Sequence, residues 1–247
     1  MKKFILLTFI LATLALFSTT ALAAVEKPIS FFQDDSKWGS ESYSITGSQS
    51  QTIANSGCGP TAMAMVLHYY GEEDITPVET AEFAVENYHR TRSNGTSWAF
   101  FEDIANEYDL DFKQTASSVE ALEWMNTKED PLIICSMGPG LWTRQGHFIV
   151  LWDVEDGVAH INDPASTKPE RETNSFKKVA SQCKQYFCFE QKLPKINEQE
   201  LLSQLTNRSI YIAFEKQDMN STATPYISQP VHFWIIHKNI FGNNLIT

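Results

Sequence analysis

Positive charge is scarce in this chain. Its 247 residues carry 19 Lys and Arg against 30 Asp and Glu, a formal net charge of −11 at pH 7. A surface of that sign repels phosphate backbones and anionic headgroups, which argues against nucleic acid or a charged membrane face as partner. It leaves open either basic substrates or plain solubility. Cysteine is also sparse, with Cys58, Cys135, Cys183 and Cys188 only. None has the paired spacing of a zinc site, so no metal and no other cofactor is expected. Long apolar runs are missing after the first 17 residues, and the run at 4–17 is short for a membrane span. That run follows basic Lys2 and Lys3 and precedes the small-residue site Ala21-Leu22-Ala23. Residues 1–23 therefore read as a cleavable signal peptide, with a mature chain from Ala24 that is secreted and not inserted in a membrane. Loss of Lys2 and Lys3 takes the charge from −11 to −13. No cysteine stands directly after the apolar run or at the cleavage site, which argues against a lipidated N-terminus.

What is present is concentrated at Ser56-Gly57-Cys58-Gly59-Pro60-Thr61, followed by the apolar stretch 62–70 and Gly71. The pattern predicts a buried helix that begins at the cysteine, with Pro60 in its first turn and Gly71 as its C-cap. Glycines on either side let the backbone turn tightly and leave the thiol uncovered. A thiol there lies at the positive end of the helix dipole, which favours thiolate and so nucleophilicity. A core cysteine beside a turn fits the same letters.

A second cluster begins at Gln145-Gly146-His147 and runs into the apolar segment 148–152. Asp156-Gly157 is a two-residue hairpin signal, and the returning strand ends at Asn162-Asp163-Pro164. Such a hairpin brings Asp163 beside His147, where a carboxylate can fix the imidazole tautomer and stabilise its charged form. Taken singly, His147 also fits a strand-end histidine bonded to backbone, and Asp163 an Asp-Pro turn. Nucleophile, base and orienter all occurring with suitable local structure favours the catalytic reading.

These residues resemble the papain-like peptidase domain of the bacteriocin-processing, double-glycine-leader type, in a stand-alone secreted form. The resemblance rests on 29–35 (Ile-Ser-Phe-Phe-Gln-Asp-Asp) with Trp38, on Gly57-Cys58-Gly59-Pro60-Thr61, on Gly146-His147 with the following strand, and on Asp163-Pro164, over about residues 28–190. It implies Cys58 as nucleophile, His147 as general base, Asp163 as its orienter and Gln33 as side-chain donor of the oxyanion hole. Without the resemblance Gln33 reads as a solvated loop amide. Leader-processing members are fused to a transporter, which this sequence does not contain.

Along the chain, helices are expected at 77–89, 97–108 and 118–126, with Pro77 and Glu79 in the first turn of one and Ser118 capping another. Strands are expected at 132–136, 147–154 and 158–162, then a short helix at 174–181 and a strand at 185–190. The fold class is α+β: a helical layer carrying the cysteine, packed on an antiparallel sheet carrying the histidine and aspartate. Cys135 falls within an apolar strand and reads as a small hydrophobe. Cys183 and Cys188 are near enough in sequence for a local disulfide, though the expected helix end and strand disfavour it. The loop 138–142 reads as a cleft wall or as an aromatic loop packed on the core. The domain plan is thus signal 1–23, peptidase domain 24–190 and extension 191–247. In that extension a helix, a strand and an apolar run headed by His232-Phe233 echo the histidine half of the domain, as a partial repeat or a chance likeness.

The expected function is a secreted cysteine peptidase acting on peptides or proteins. A cell-wall amidase or transpeptidase with the same triad, acting on cell-wall peptide, is the alternative within enzymes. A non-catalytic papain-like binding module is the alternative outside them.

Overall fold

A computed structural model describes residues 26–93 and 95–192. The chain divides into two units, 1–193 and 194–247, and the described residues all belong to the first. The signal segment 1–23, the 191–247 repeat reading beyond Lys192, and His232 lie outside the described residues.

The element order is α1 (Ile53–Ser56), α2 (Cys58–Tyr69), α3 (Pro77–Glu86), α4 (Ala99–Glu107), β1 (Leu110–Thr115), α5 (Ser118–Thr127), β2 (Leu132–Met137), β3 (His147–Glu155), β4 (Val158–Asn162), α6 (Pro169–Glu172), β5 (Thr173–Ser175), α7 (Phe176–Gln182) and β6 (Cys183–Gln191). One six-stranded sheet runs β1-β6-β2-β3-β4-β5, with every pairing antiparallel. Among the described residues no helix is long and apolar enough to cross a membrane.

Helix α2 is buried from Gly59 to Leu67 on all sides, which makes it the central helix of the domain rather than a surface amphipath. It packs among Phe100, Phe101, Ile104, Phe148, Val150 and Phe187, joining the helical layer to one face of the sheet. The other face is filled by a second cluster that includes Ile133, Ile149, Trp142, Phe176 and Tyr186. Cys135 is fully buried in β2, as an apolar residue of a central strand should be. Gly71 follows the C-cap of α2 at φ 103, in the left-handed region.

The glycines around Cys58 act differently from the expectation. Gly57 has φ −90, so it needs no left-handed turn; what both positions need is room. A Cβ on Gly57 would meet the Ile53 carbonyl oxygen at 2.6 Å, and one on Gly59 would meet Thr96 Oγ1 at 2.5 Å. The N-terminus of the cysteine helix is thereby pressed against its neighbours.

Helix α3 starts as expected, with Pro77 in its first turn and the Glu79 carboxylate accepting the Thr76 N–H at 2.8 Å. It ends at Glu86, three residues early, because Tyr88 turns left-handed at φ 62 and the N–H groups of His89 and Arg90 both donate to the Ala84 carbonyl. Helix α5 is capped by Ser117, not Ser118: the Ser117 hydroxyl accepts the Glu120 N–H at 3.3 Å. Residues 173–175 pair with β4 as β5, so α7 begins at Phe176 under a Ser175 cap. Strand β1 has no counterpart among the elements the sequence predicts. It lies between helices in sequence yet pairs with β6, the last strand, so the helices do not all precede the sheet.

All four cysteines are free. Cys183 and Cys188 share strand β6, and at about 3.3 Å per residue they stand about 16 Å apart. A disulfide needs Cα atoms within about 7 Å, so these two cannot be bridged.

Candidate active site

Two structural devices bring the chemistry together. The first is the start of α2, which places Cys58 at the first helical position, half-buried at the floor of a cleft. The second is the hairpin of β3 and β4. Asp156 and Gly157 take φ 50 and φ 78 in its two-residue turn, the geometry that matches strand twist. After a register shift between Leu151 and Asp153, Val150 pairs with Asn162, so Asp163 follows on opposite Ile149 and His147 is the next residue along the same face of β3. His147 Nε2 and Asp163 Oδ1 are 2.7 Å apart. Asp163 is wholly buried at its side chain and His147 nearly so.

With Nε2 committed to Asp163, the other ring nitrogen, Nδ1, is the one left for Cys58, to which His147 is hydrogen-bonded. Burial alone would push the Cys58 thiol up. The His147 hydrogen bond and charge, with backbone N–H donors of Phe148 and Gly59, outweigh it and hold the thiol below its ordinary value. Burial also works against an imidazolium, but the hydrogen bonds to Asp163 and Cys58 and their charges raise His147 from 6.5 to about 9. Both shifts favour a thiolate–imidazolium pair near neutral pH.

Asp163 is held from three sides. Oδ1 also accepts the Ala165 N–H at 2.9 Å, and Oδ2 forms an ion pair with Arg171 Nη2 at 2.6 Å. Arg171 Nη2 donates to the Trp142 carbonyl at 2.7 Å, and Trp142 Nε1 donates back to the Arg171 carbonyl at 2.9 Å. Trp142 lines the cleft and is only 3% exposed within the second core cluster. Both readings of the loop 138–142 therefore hold: its tryptophan is wall and core at once. Arg171 escaped the sequence reading because it lies in a short charged stretch, Lys168 to Glu172, that looks like any solvated turn.

Gln33 lines the same cleft as Cys58 and His147. Its backbone N–H donates to the Pro164 carbonyl at 2.8 Å, and Nε2 donates to the Ala54 carbonyl at 2.5 Å. One N–H of that amide remains for another acceptor. The segment before it is tied down as well: Asn162 Nδ2 donates to the carbonyls of Pro28 and Ile29, at 2.9 and 3.2 Å. The cleft has a volume of about 720 Å³ and is walled by Trp98, Ser136 and Trp142 besides the residues already placed. Elsewhere, Asp153, Glu155 and His160 bring ligand atoms within 4.8 Å of one another on the β3–β4 hairpin. Nothing else around them in the described residues points to an ion.

The chain belongs to the Peptidase_C39-like family, whose model matches residues 45–190. It is a cysteine-type peptidase, a hydrolase, with a papain-like arrangement of a cysteine helix on an antiparallel sheet. Solved structures it is similar to include the peptidase domain of Streptococcus ComA, a bifunctional ABC transporter of a quorum-sensing pathway. The two share 18% identity over 55% of this chain and 92% of that one, with a TM-score of 0.43. Another is a double-glycine-motif protease from an AMS/PCAT transporter in complex with its leader peptide, at 23% identity over 55% and 84%, TM-score 0.40. A third is a C39-like peptidase from Bacillus anthracis, at 14% identity over 68% and 100%, TM-score 0.39. No curated protein matches.

Proposed function

We propose that Cys58, His147, Asp163 and Gln33 form the catalytic set of a secreted peptidase that acts on peptide or protein substrates. The observation that carries the assignment is the continuous chain from the Cys58 sulfur through His147 to the buried Asp163, 2.7 Å beyond the ring. Thiolate Cys58 attacks the substrate carbonyl carbon, and the carbonyl oxygen takes the negative charge. His147 gives its proton to the leaving amine as the C–N bond breaks, which leaves a thioester and a neutral imidazole. That imidazole takes a proton from water as the hydroxyl adds to the thioester, and collapse releases the acid and restores the ion pair. The Cys58 N–H and the spare N–H of Gln33 stabilise the oxyanion in both steps. Secretion is supported by the signal-like segment 1–23. Peptide substrates are supported by the family and by the leader peptide bound to one similar protease. Mature protein incubated with a peptide library and with peptidoglycan, beside Cys58→Ala, tests the reading and separates it from a wall amidase or transpeptidase. A lowered Cys58 thiol is of no use to a binding module, which counts against the non-catalytic alternative.

The pH dependence of Cys58 alkylation by iodoacetamide checks the ion pair. The wild type is expected to react at a high, flat rate around neutral pH, falling as acid protonates the thiolate. In His147→Ala the reactive limb moves to higher pH, because the His147 hydrogen bond and charge are gone and only the backbone N–H donors of Phe148 and Gly59 still oppose burial. A pH profile that the two proteins share would dismiss the pair. Stability has its own sign. Folding raises His147 from 6.5 to about 9, so its contribution is full below about pH 6.5 and is lost as pH climbs through about 9.

Gln33→Ala is expected to lower kcat roughly a hundredfold, with little change in substrate binding, because the donor matters mainly once the oxyanion forms. Gln33→Glu should be worse, since it sets a negative charge where one develops. Alanine also removes the bond to Ala54, so alkylation of Cys58 is the control. No oxyanion forms in that reaction, and its rate should stay near normal if the site is intact. Unchanged turnover in Gln33→Ala would return Gln33 to an ordinary loop amide.

A further inference from the structure

The cleft differs in charge from the molecule that contains it. The chain as a whole is at −11, yet among the described lining residues there is no Asp or Glu, while Arg171 and Lys184 are both present. Arg171 is answered by the buried Asp163. Lys184 has no carboxylate within ion-pair distance among the described residues. Lys184 is exposed, and what sets it apart from other lysines without an ion pair is its place in the lining of the cleft.

Its position is built rather than incidental. The wall loop is fastened to the α7–β6 junction: Gly138 N–H donates to the Gln182 carbonyl at 2.7 Å, and Leu141 N–H donates to Gln182 Oε1 at 2.7 Å. A Cβ on Gly138 would come within 2.7 Å of Lys184 Cε and 3.6 Å of its Cδ. The lysine stem therefore runs over the bare backbone of Gly138, and the loop holds the ammonium at the cleft wall. Stems of this kind lie along apolar surface while the charged head stays in water. Arg144, exposed on the same loop, also lacks a carboxylate partner among the described residues.

We propose that Lys184 is a carboxylate-binding subsite of the cleft, so that the preferred peptides present an acidic group on the side of the scissile bond bordered by β6 and the wall loop. The inference rests on the peptidase reading given above. The carboxylate is either an Asp or Glu side chain or the α-carboxylate at a peptide C-terminus. Internally quenched peptides that carry Glu, Gln or Lys at each position, prepared with free-acid and carboxamide C-termini, distinguish the two sources.

The wild type should prefer Glu over Gln at one position, or free acid over carboxamide, by about three- to fivefold in kcat/KM at low salt, the range of a single solvent-accessible charge pair. Lys184→Gln should bring that ratio to about one, and Lys184→Glu should invert it in favour of Lys. A preference for acid that survives Lys184→Gln, or no preference in the wild type, overturns the proposal. A second measurement needs no turnover. The ratio of Cys58 alkylation by iodoacetate to that by iodoacetamide should fall about twofold in Lys184→Gln at low salt, and an unchanged ratio counts against the subsite. If no peptide is cleaved yet this ratio falls, the peptidase reading fails while the cationic wall stands.

Discussion

Cys58→Ala is expected to abolish peptide hydrolysis, a loss on the order of a million-fold such as removal of the nucleophile causes in a triad. The fold should survive it. Cys58 is half-buried at the first position of α2, where a thiol-to-methyl change removes one heavy atom and leaves the helix propensity no worse. The ring of His147 does lose a partner, and an unsatisfied buried nitrogen costs about 1–2 kcal/mol. Thermal melting therefore shifts by a few degrees while turnover vanishes. Wild-type turnover in the variant would end the peptidase assignment of this cysteine. A collapse in melting temperature would mean that the assay reads unfolding instead of chemistry.

His147→Ala ranks next, with a loss of several orders of magnitude in kcat/KM. It removes the proton donor to the leaving amine and also the charge that holds Cys58 as thiolate. Asp163→Asn should lose less activity, since an amide oxygen can still hold the ring. The structure adds a cost that a simple triad would not show. Asparagine leaves the Arg171 guanidinium without its ion pair at 2.6 Å, with only the Trp142 carbonyl to receive it. Asp163→Asn is therefore expected to melt well below His147→Ala, because loss of one partner of a buried pair is more damaging than loss of a ring from a cavity wall. Kinetics and calorimetry on the two variants check the ranking. Equal melting temperatures would show that Arg171 is indifferent to Asp163.

The pieces of this site differ in how readable they are. Cys58 is legible because three local signals coincide: the flanking glycines, a proline in the first turn and an apolar helix behind. His147 and Asp163 are legible because a two-residue Asp-Gly turn leaves little freedom in the register of the strands it joins. Their meeting at 2.7 Å also needs the register shift between Leu151 and Asp153, which the sequence does not announce. Regular pairing from Glu155 and Val158 would set Asp163 opposite Val150, on the other face of the sheet from His147. Arg171 is a different case. Its placement depends on where the four-residue α6 lands after β4, and no periodicity encodes that. Strand β1 was hidden for a related reason: it is an edge strand with its middle partly exposed, so no clear alternation marks it, and its partner β6 lies some 75 residues away by register. Gln33 could be singled out only through family likeness, because its position is set by a bond to Pro164 rather than by its neighbours in sequence.

That bond has a consequence for when the enzyme becomes dangerous to its surroundings. Gln33 is pinned to Pro164, and Asn162 grips Pro28 across 134 residues. These are the longest-range ties in the site, and loop-closure entropy makes such ties late to form. A growing or threaded polypeptide that has made the cysteine helix still lacks His147, Asp163 and the anchor of Gln33. All of them arrive only once the stretch through residue 164 has folded back onto the first described residues. With the proposed catalytic set, an incomplete chain is expected to be inert, and activity to appear as a late event of folding.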